Sequence, residues 1–359
     1  MNEKINIMNP PTWSWLRVNG NEVTLFDGQK TGKVQVETES VLPLTDVTQE
    51  IIEKTEPLFA SMKNGVEKKW ETALFDHRNS GCFIAGSQTE KESFVHLAYR
   101  ALDKNIADYH VLHAKEGETL NVIVRYVGGQ LQDSLTRIIA EKNAKIVLIK
   151  VHEAADAKQV VDVVTAKVAS GAEVRVISVD LAGARVFTNY WMELEEDEAK
   201  GEIETIYLAD RTQEYDFQYQ MNHTGKRSES DILLNGILED ASKKTFKGTL
   251  NFHPGCKGSK GNELENVSLL SSEARSKAVP ILLCGEDDVE GNHAVSAGRL
   301  DEEALFYITS RGISAEEARR MLVYAKLAPT LDKIPVKAVQ RRVLERIGIE
   351  IAEEVGAAE

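Results

Sequence analysis

The sequence predicts a mainly β chain, built as a solenoid of stacked strands between helical ends. From about Gly81 to Val289, short apolar or alternating runs recur, separated by glycine-centred turns at Gly128, Gly171, Gly183, Gly201 and Gly225. Many short strands with regular turns fit a sandwich, a barrel or a β-helix. The runs Glu173–Asp180, Ala184–Met192 and Glu202–Leu208 each follow a glycine corner at a spacing of roughly 10–18 residues. Stacked rungs recur in this way, which favours the solenoid. On both sides of this region apolar residues return at helical spacing. The expected divisions are an N-terminal mixed and helical region over 1–80, a β core over 81–295 and a C-terminal helical region over 296–359.

In chain order, Asn19-Gly20 and Asp27-Gly28 are turn dipeptides among Val18, Val23 and Leu25, which predicts a hairpin. Trp13, Trp15 and Leu16 read as anchors packed on the domain behind them. Val47, Ile51, Ile52, Leu58, Phe59, Met62 and Val66 predict a helix over Thr45–Glu71, weakened near Gly65. Lys91–Leu102 fits helix or strand. Strands are expected at Cys82–Ala85, Tyr109–Leu112, Leu120–Tyr126, Ile146–Val151, Val174–Val179, Val186–Trp191, Ile203–Leu208, Phe217–Met221, Ile232–Leu238, Phe246–Phe252 and Ile281–Cys284. The β-branched Val160, Val161, Val163 and Val164 make Gln159–Val168 a strand as well. Glu286–Ala294 reads as an irregular acidic loop. Helices follow over Leu300–Arg311 and Ser314–Ala328, separated by Gly312. Ser314 and Glu317 stand at capping-box spacing. Pro329 and Pro335 are expected to interrupt the chain before a last amphipathic helix over Val336–Ile347.

Composition narrows the function. With 359 residues the chain has room for about two domains. A net charge of −14 argues against binding a nucleic-acid backbone. No run approaches the ~20 apolar residues that span a bilayer, and Met1–Trp15 lacks the order of a secretory signal, so a cytoplasmic chain is expected. The three cysteines, Cys82, Cys256 and Cys284, form no C-x-x-C pair. They predict neither a disulfide framework nor a structural zinc site, and three thiolates do not complete a four-cysteine iron–sulfur cluster. GCKGSKG at 255–261 lacks the Walker A order, and no serine elbow or H-x-x-x-H pair supports a hydrolase. A lyase on a β-helix would need a charged ladder on one exposed strand face, and none is visible.

Asp287–Ile313, DDVEGNHAVSAGRLDEEALFYITSRGI, resembles the C-terminal signature of the SufB/SufD family of iron–sulfur cluster assembly proteins, close to DDVxCSHGATVGxLDEEALFYLxSRGI. Upstream, YLAD at 207–210, His223, FKGTL at 246–250 and LLSSEARSKAVP at 269–280 follow the family's order, so the similarity covers about 170–325. The resemblance implies a right-handed parallel β-helix between helical ends. It also implies a SufD-like, non-enzymatic scaffold that pairs with a SufB-like subunit, or with itself when isolated, and docks a SufC-like ATPase through its C-terminal helices. No tightly bound cofactor is implied. A transient iron–sulfur cluster or iron at the subunit interface is, with His293 at the family's histidine position as the cluster-handling residue. Neutral imidazole suits iron, and a single histidine leaves such a site incomplete until a partner adds thiolate. Three positions depart from the pattern: Gly291 stands for the cysteine, Asn292 for the serine and Ala294 for the glycine. Glu263 retains only a Glu-for-Gln likeness. These departures favour, as the alternative, a structural partner that has lost direct ligation. Cys284 is expected to be a small buried hydrophobe. Lys257 and Lys260 are placed to lower the Cys256 thiol pKa.

Overall fold

The computed structural model describes residues 2–25, 34–40, 42, 44–86, 93–101 and 105–349. Its architecture is mainly β, 49% strand, with a solenoid of about seven turns and a few flanking helices. Two nine-stranded sheets form the solenoid walls. In sheet I, Val289–Gly298, Ser259–Leu269, Glu229–Leu238, Lys200–Ala209, Glu173–Asp180, Lys145–His152, Thr119–Tyr126 and Val95–Arg100 pair in parallel, and Gln35–Glu39 closes the far edge antiparallel. In sheet II, Arg275–Cys284, Lys243–Phe252, Glu214–His223, Arg185–Leu194, Gln159–Val168, Leu131–Ala140, Ile106–Ala114 and Cys82–Ala85 pair likewise, with Thr45–Asp46 antiparallel at the edge. The chain alternates between the sheets, so each rung adds one strand to both.

Alternation along each strand sends every second side chain into the lumen. The lumen side chains stack in columns, and the principal core fills this space. Polar residues also enter it, and several form buried networks. The buried carboxylate of Asp162 accepts from Lys150 Nζ, from Tyr190 Oη at 2.8 Å and meets His152 Nε2 at 3.1 Å. Burial would raise this carboxyl, but Lys150 and His152 outweigh burial and hold it well below the usual range.

Helices pack on the outer faces. The expected single helix over Thr45–Glu71 is instead two, α1 (Gln49–Phe59) and α2 (Lys68–His77). Gly65 divides them at φ +77°, where a Cβ would lie 2.3 Å from the Ile7 carbonyl oxygen. Trp70 and Leu74, with Ile5, Val23 and Val47, bury the outer face of sheet II at Val111, Leu135, Val161, Val163 and Phe187. Trp13 and Trp15 do not anchor this layer: they are 72% and 70% exposed. Asn6 does so, its amide donating to the Thr188 and Asp216 carbonyls at 3.2 and 3.0 Å. Asn21–Thr24 pairs with Asn2–Ile5, so Asn19-Gly20 ends a longer connection, not a tight hairpin. Asp27-Gly28 lies outside the described residues. So does part of Lys91–Leu102, whose described residues, 93–101, contain the strand Val95–Arg100.

At the C-terminus are α3 (Glu302–Thr309), α4 (Ala315–Leu331) and α5 (Lys337–Arg346). Asp301 caps α3 through the Glu303 and Ala304 amides, and Ser314 caps α4 through the Glu317 amide at 3.1 Å. Pro329 does not break α4. It falls in the last turn, where Thr330 and Leu331 still pack inward. Val323, Leu327, Leu331, Val339 and Val343 cover the outer face of sheet I at Ile149, Val151, Ile177, Val179, Ile206 and Ile237. The helices therefore lie along the side of the solenoid and leave its last rung uncovered.

Candidate functional site at the open end

The final rung consists of Arg275–Cys284 and Val289–Gly298, each paired on one side only. Glu286–Ala294 is therefore not a loop throughout: after a bend at Asp287 and Asp288, a ten-residue strand begins at Val289. His293 sits within it in register with Glu263, and Gly291 in register with Gly261. The lumen-facing positions of this strand are consequently Val289, Gly291, His293, Val295 and Ala297. Among the described residues, no rung lies above them. His293 is exposed, and Val295 is 41% exposed.

His293 ends a long column. Through successive parallel registers, Val95, Val122, Leu148, Val176, Ile203 and Ile232 stack in one file, followed by Glu263 and His293. Six aliphatic side chains give way to a carboxyl and an imidazole on the last two rungs. Glu263 is 3% exposed, and its Oε1 has no hydrogen-bond partner among the described residues. Burial, reinforced by nearby Glu265, pushes its carboxyl up to about 8. The neighbouring Glu265 differs in being paired with the buried Lys244 across the lumen. Gly248 makes room for Glu263, since a Cβ there would come within 2.3 Å of the carboxyl group.

Gly291 occupies a file of small residues, Gly201, Ser230, Gly261 and Gly291. Side chains from the opposite sheet fill the space they leave. A Cβ on Gly291 would lie 2.6 Å from Leu282 Cδ1 and 3.2 Å from Phe252. Leu282 thus takes the volume that a cysteine side chain would need.

Of the remaining cysteines and histidines, Cys284 shares the final rung, whereas Cys256 and His223 are buried beneath it. Cys284 faces the lumen in register with Phe252, but it is exposed because the rung is terminal. Cys256 is fully buried, and burial pushes its thiol up. Lys260 is turned outward to Glu290 at 2.9 Å and does not activate it. His223 is buried between the Ser228 and Ser230 hydroxyls at 2.7 Å each. Burial, then His253, lowers its pKa to about 4, as expected of a structural histidine. Among the described residues, no three His, Cys, Asp or Glu side chains are arranged to hold a metal ion. His293 and Glu263 therefore provide at most part of a ligand set.

The comparison with known families decides the assignment. Residues 98–326 match the model of the SUF system FeS cluster assembly, SufBD core domain. The chain belongs to the SufBD family. Among SufBD relatives, an iron-sulfur cluster assembly protein SufD of Bacillus subtilis is 36% identical over 151 residues, 42% of this chain and 35% of the relative. An iron-sulfur cluster assembly SufBD family protein of Mycobacterium leprae is 27% identical over 268 residues, 72% of this chain and 68% of the relative. One from Staphylococcus saprophyticus is 30% identical over 139 residues, covering 39% and 30% of the two chains. The aligned part thus spans about a third of the Bacillus subtilis relative's length and about two thirds of the Mycobacterium leprae relative's. No described helix of this SufBD chain is long and apolar enough to cross a membrane.

Proposed function

We propose that this SufBD chain is a non-enzymatic, cytoplasmic scaffold subunit of the Suf assembly complex that pairs through its open rung with a SufB-like subunit. The observation that carries this reading is the terminal rung itself. Two ten-residue edges with unpaired backbone groups lie beside lumen side chains that no other described residues cover. Long edges of this kind are templates for strand pairing. A second solenoid end offers matching edges and a matching lumen, so the chain self-pairs when its partner is missing. The iron or nascent cluster is the cargo, handled at the seam. His293 supplies imidazole, and the partner supplies the thiolate that Gly291 does not.

The ATPase-docking reading rests on α3 and α4. Phe306, Tyr307 and Met321 are 74%, 56% and 45% exposed on this helical pair, away from the face that packs on sheet I. Such a face suits a helical docking surface for a SufC-like ATPase. The alternative, a structural partner without ligation, is favoured by Leu282 in the cysteine space.

Co-expression with SufB-like and SufC-like chains tests the assignment. We expect all three to co-purify, with F306A/Y307A losing the ATPase and retaining the SufB-like chain. A reconstituted H293A complex should assemble normally and yield less cluster. Unchanged yield would leave the structural role alone, and failure of the three chains to associate would sink the scaffold reading.

A further inference from the structure

We propose that Glu263 is a second ligand at this site, offering its carboxylate to the same divalent iron that His293 meets. The inference rests on the ligand reading of His293 and extends it one rung inward. Its basis is the file ending at the open rung. Six consecutive positions in that file are aliphatic, and only the last two, Glu263 and His293, carry donor atoms. Glu263 lies on the rung directly beneath His293, about 4.8 Å away along the stack. Carboxylate and imidazole are both fitting donors for first-row divalent metals, and two donors leave most of the coordination sphere open for a partner.

A packing role does not account for Glu263. Its Oε1 is buried without a partner among the described residues, and an aliphatic side chain in its place would continue the file. Buried carboxylates are ordinarily paired, as Glu265 is with Lys244 and Asp162 is with Lys150. Gly248 keeps the opposite wall free for the carboxyl group, where any larger residue would collide with it. A buried carboxyl with no described protein partner for Oε1, one rung beneath an exposed imidazole at the open end, is suited to a shared ligand role.

The test uses the purified full chain, kept anaerobic and titrated with Co2+ as a spectroscopic probe for divalent iron. Wild type should show saturable ligand-field absorption. E263Q, which preserves shape, should weaken binding at least tenfold, as should H293A. H253A, on the outer face, should bind as wild type does. E263L should bind no better than E263Q yet melt no lower than wild type, separating ligation from folding. If E263Q binds like wild type while H293A does not, the Glu263 proposal falls and the His293 reading survives. If neither variant alters binding, or wild type shows no saturable signal, the proposal falls with the ligand reading of His293. If H253A loses as much as H293A, the signal belongs to surface imidazoles and the proposal is overturned.

Discussion

An exposed glutamate is ionised at pH 7, whereas burial favours the protonated form of Glu263. Its carboxyl lies near 8 in the folded chain against an ordinary 4.5, mainly through burial and secondarily through Glu265. Between those values the folded state holds a proton that the unfolded state has released. Stability therefore falls as pH rises through this window. E263L removes the term and restores the aliphatic file. Its advantage over wild type should grow from pH 5 to pH 8, by on the order of a few kcal/mol. Urea midpoints at the two pH values measure this, and an equal advantage at both would contradict it. Asp133, raised to about 8 by burial, and Asp180, raised to about 6 by burial, are present in both proteins and cancel in the comparison. His293 was legible as a residue because its motif is long. Its placement above Glu263 was not, because register between rungs far apart in sequence leaves no local trace.

Strands differed in how plainly they could be read. Gln159–Val168 and Glu173–Asp180 carry β-branched residues on both faces because the lumen buries one face and the helices bury the other. Ser259–Leu269 escaped because its alternation is inverted: Glu263 and Glu265 point inward while Leu264 is 40% exposed. Val289–Gly298 escaped because a terminal rung has little to bury, leaving VEGNHAVSAG without an apolar run. The same poverty defines its use. V295K puts a charge into the lumen mouth, where Val295 is already 41% exposed. The isolated chain should keep its stability within about 0.5 kcal/mol. Pairing should fail, because docking would bury an unanswered ammonium. Size-exclusion with light scattering checks the self-pairing, and co-purification checks the SufB-like partner. Retained association would place the seam elsewhere.

At the scale of the molecule, the solenoid was legible in the recurrence of glycine corners, and the helices at both ends in their apolar spacing. Where the C-terminal helices lie was not. Amphipathic periodicity says that a helix has a face to bury, but the apolar outer residues of sheet I, such as Ile149, Ile177 and Ile206, decide where it goes. Trp13 and Trp15 teach the same lesson in reverse. Aromatic side chains suggested anchors, yet the buried amide of Asn6 holds the segment to the solenoid, with Lys247 Nζ donating to its carbonyl at 3.2 Å.

The side-on seat of the helices also grades the molecule's local stability. Described fastenings on sheet I reach as far as Ile237, and α1 and α2 secure sheet II near its opposite end. Beyond Ile237 no described helix clamps the strands of sheet I, and in a one-dimensional stack the final unit has a single neighbour to hold it. Amide exchange should therefore quicken stepwise from Glu229–Leu238 through Ser259–Leu269 to Val289–Gly298. Mass spectrometry would resolve the gradient, and uniform protection across these strands would refute it. A partner seated on the last rung would supply the missing neighbour, so docking should slow exchange most where the free chain opens fastest. The strand that presents His293 would then gain its full rigidity only in the assembled complex.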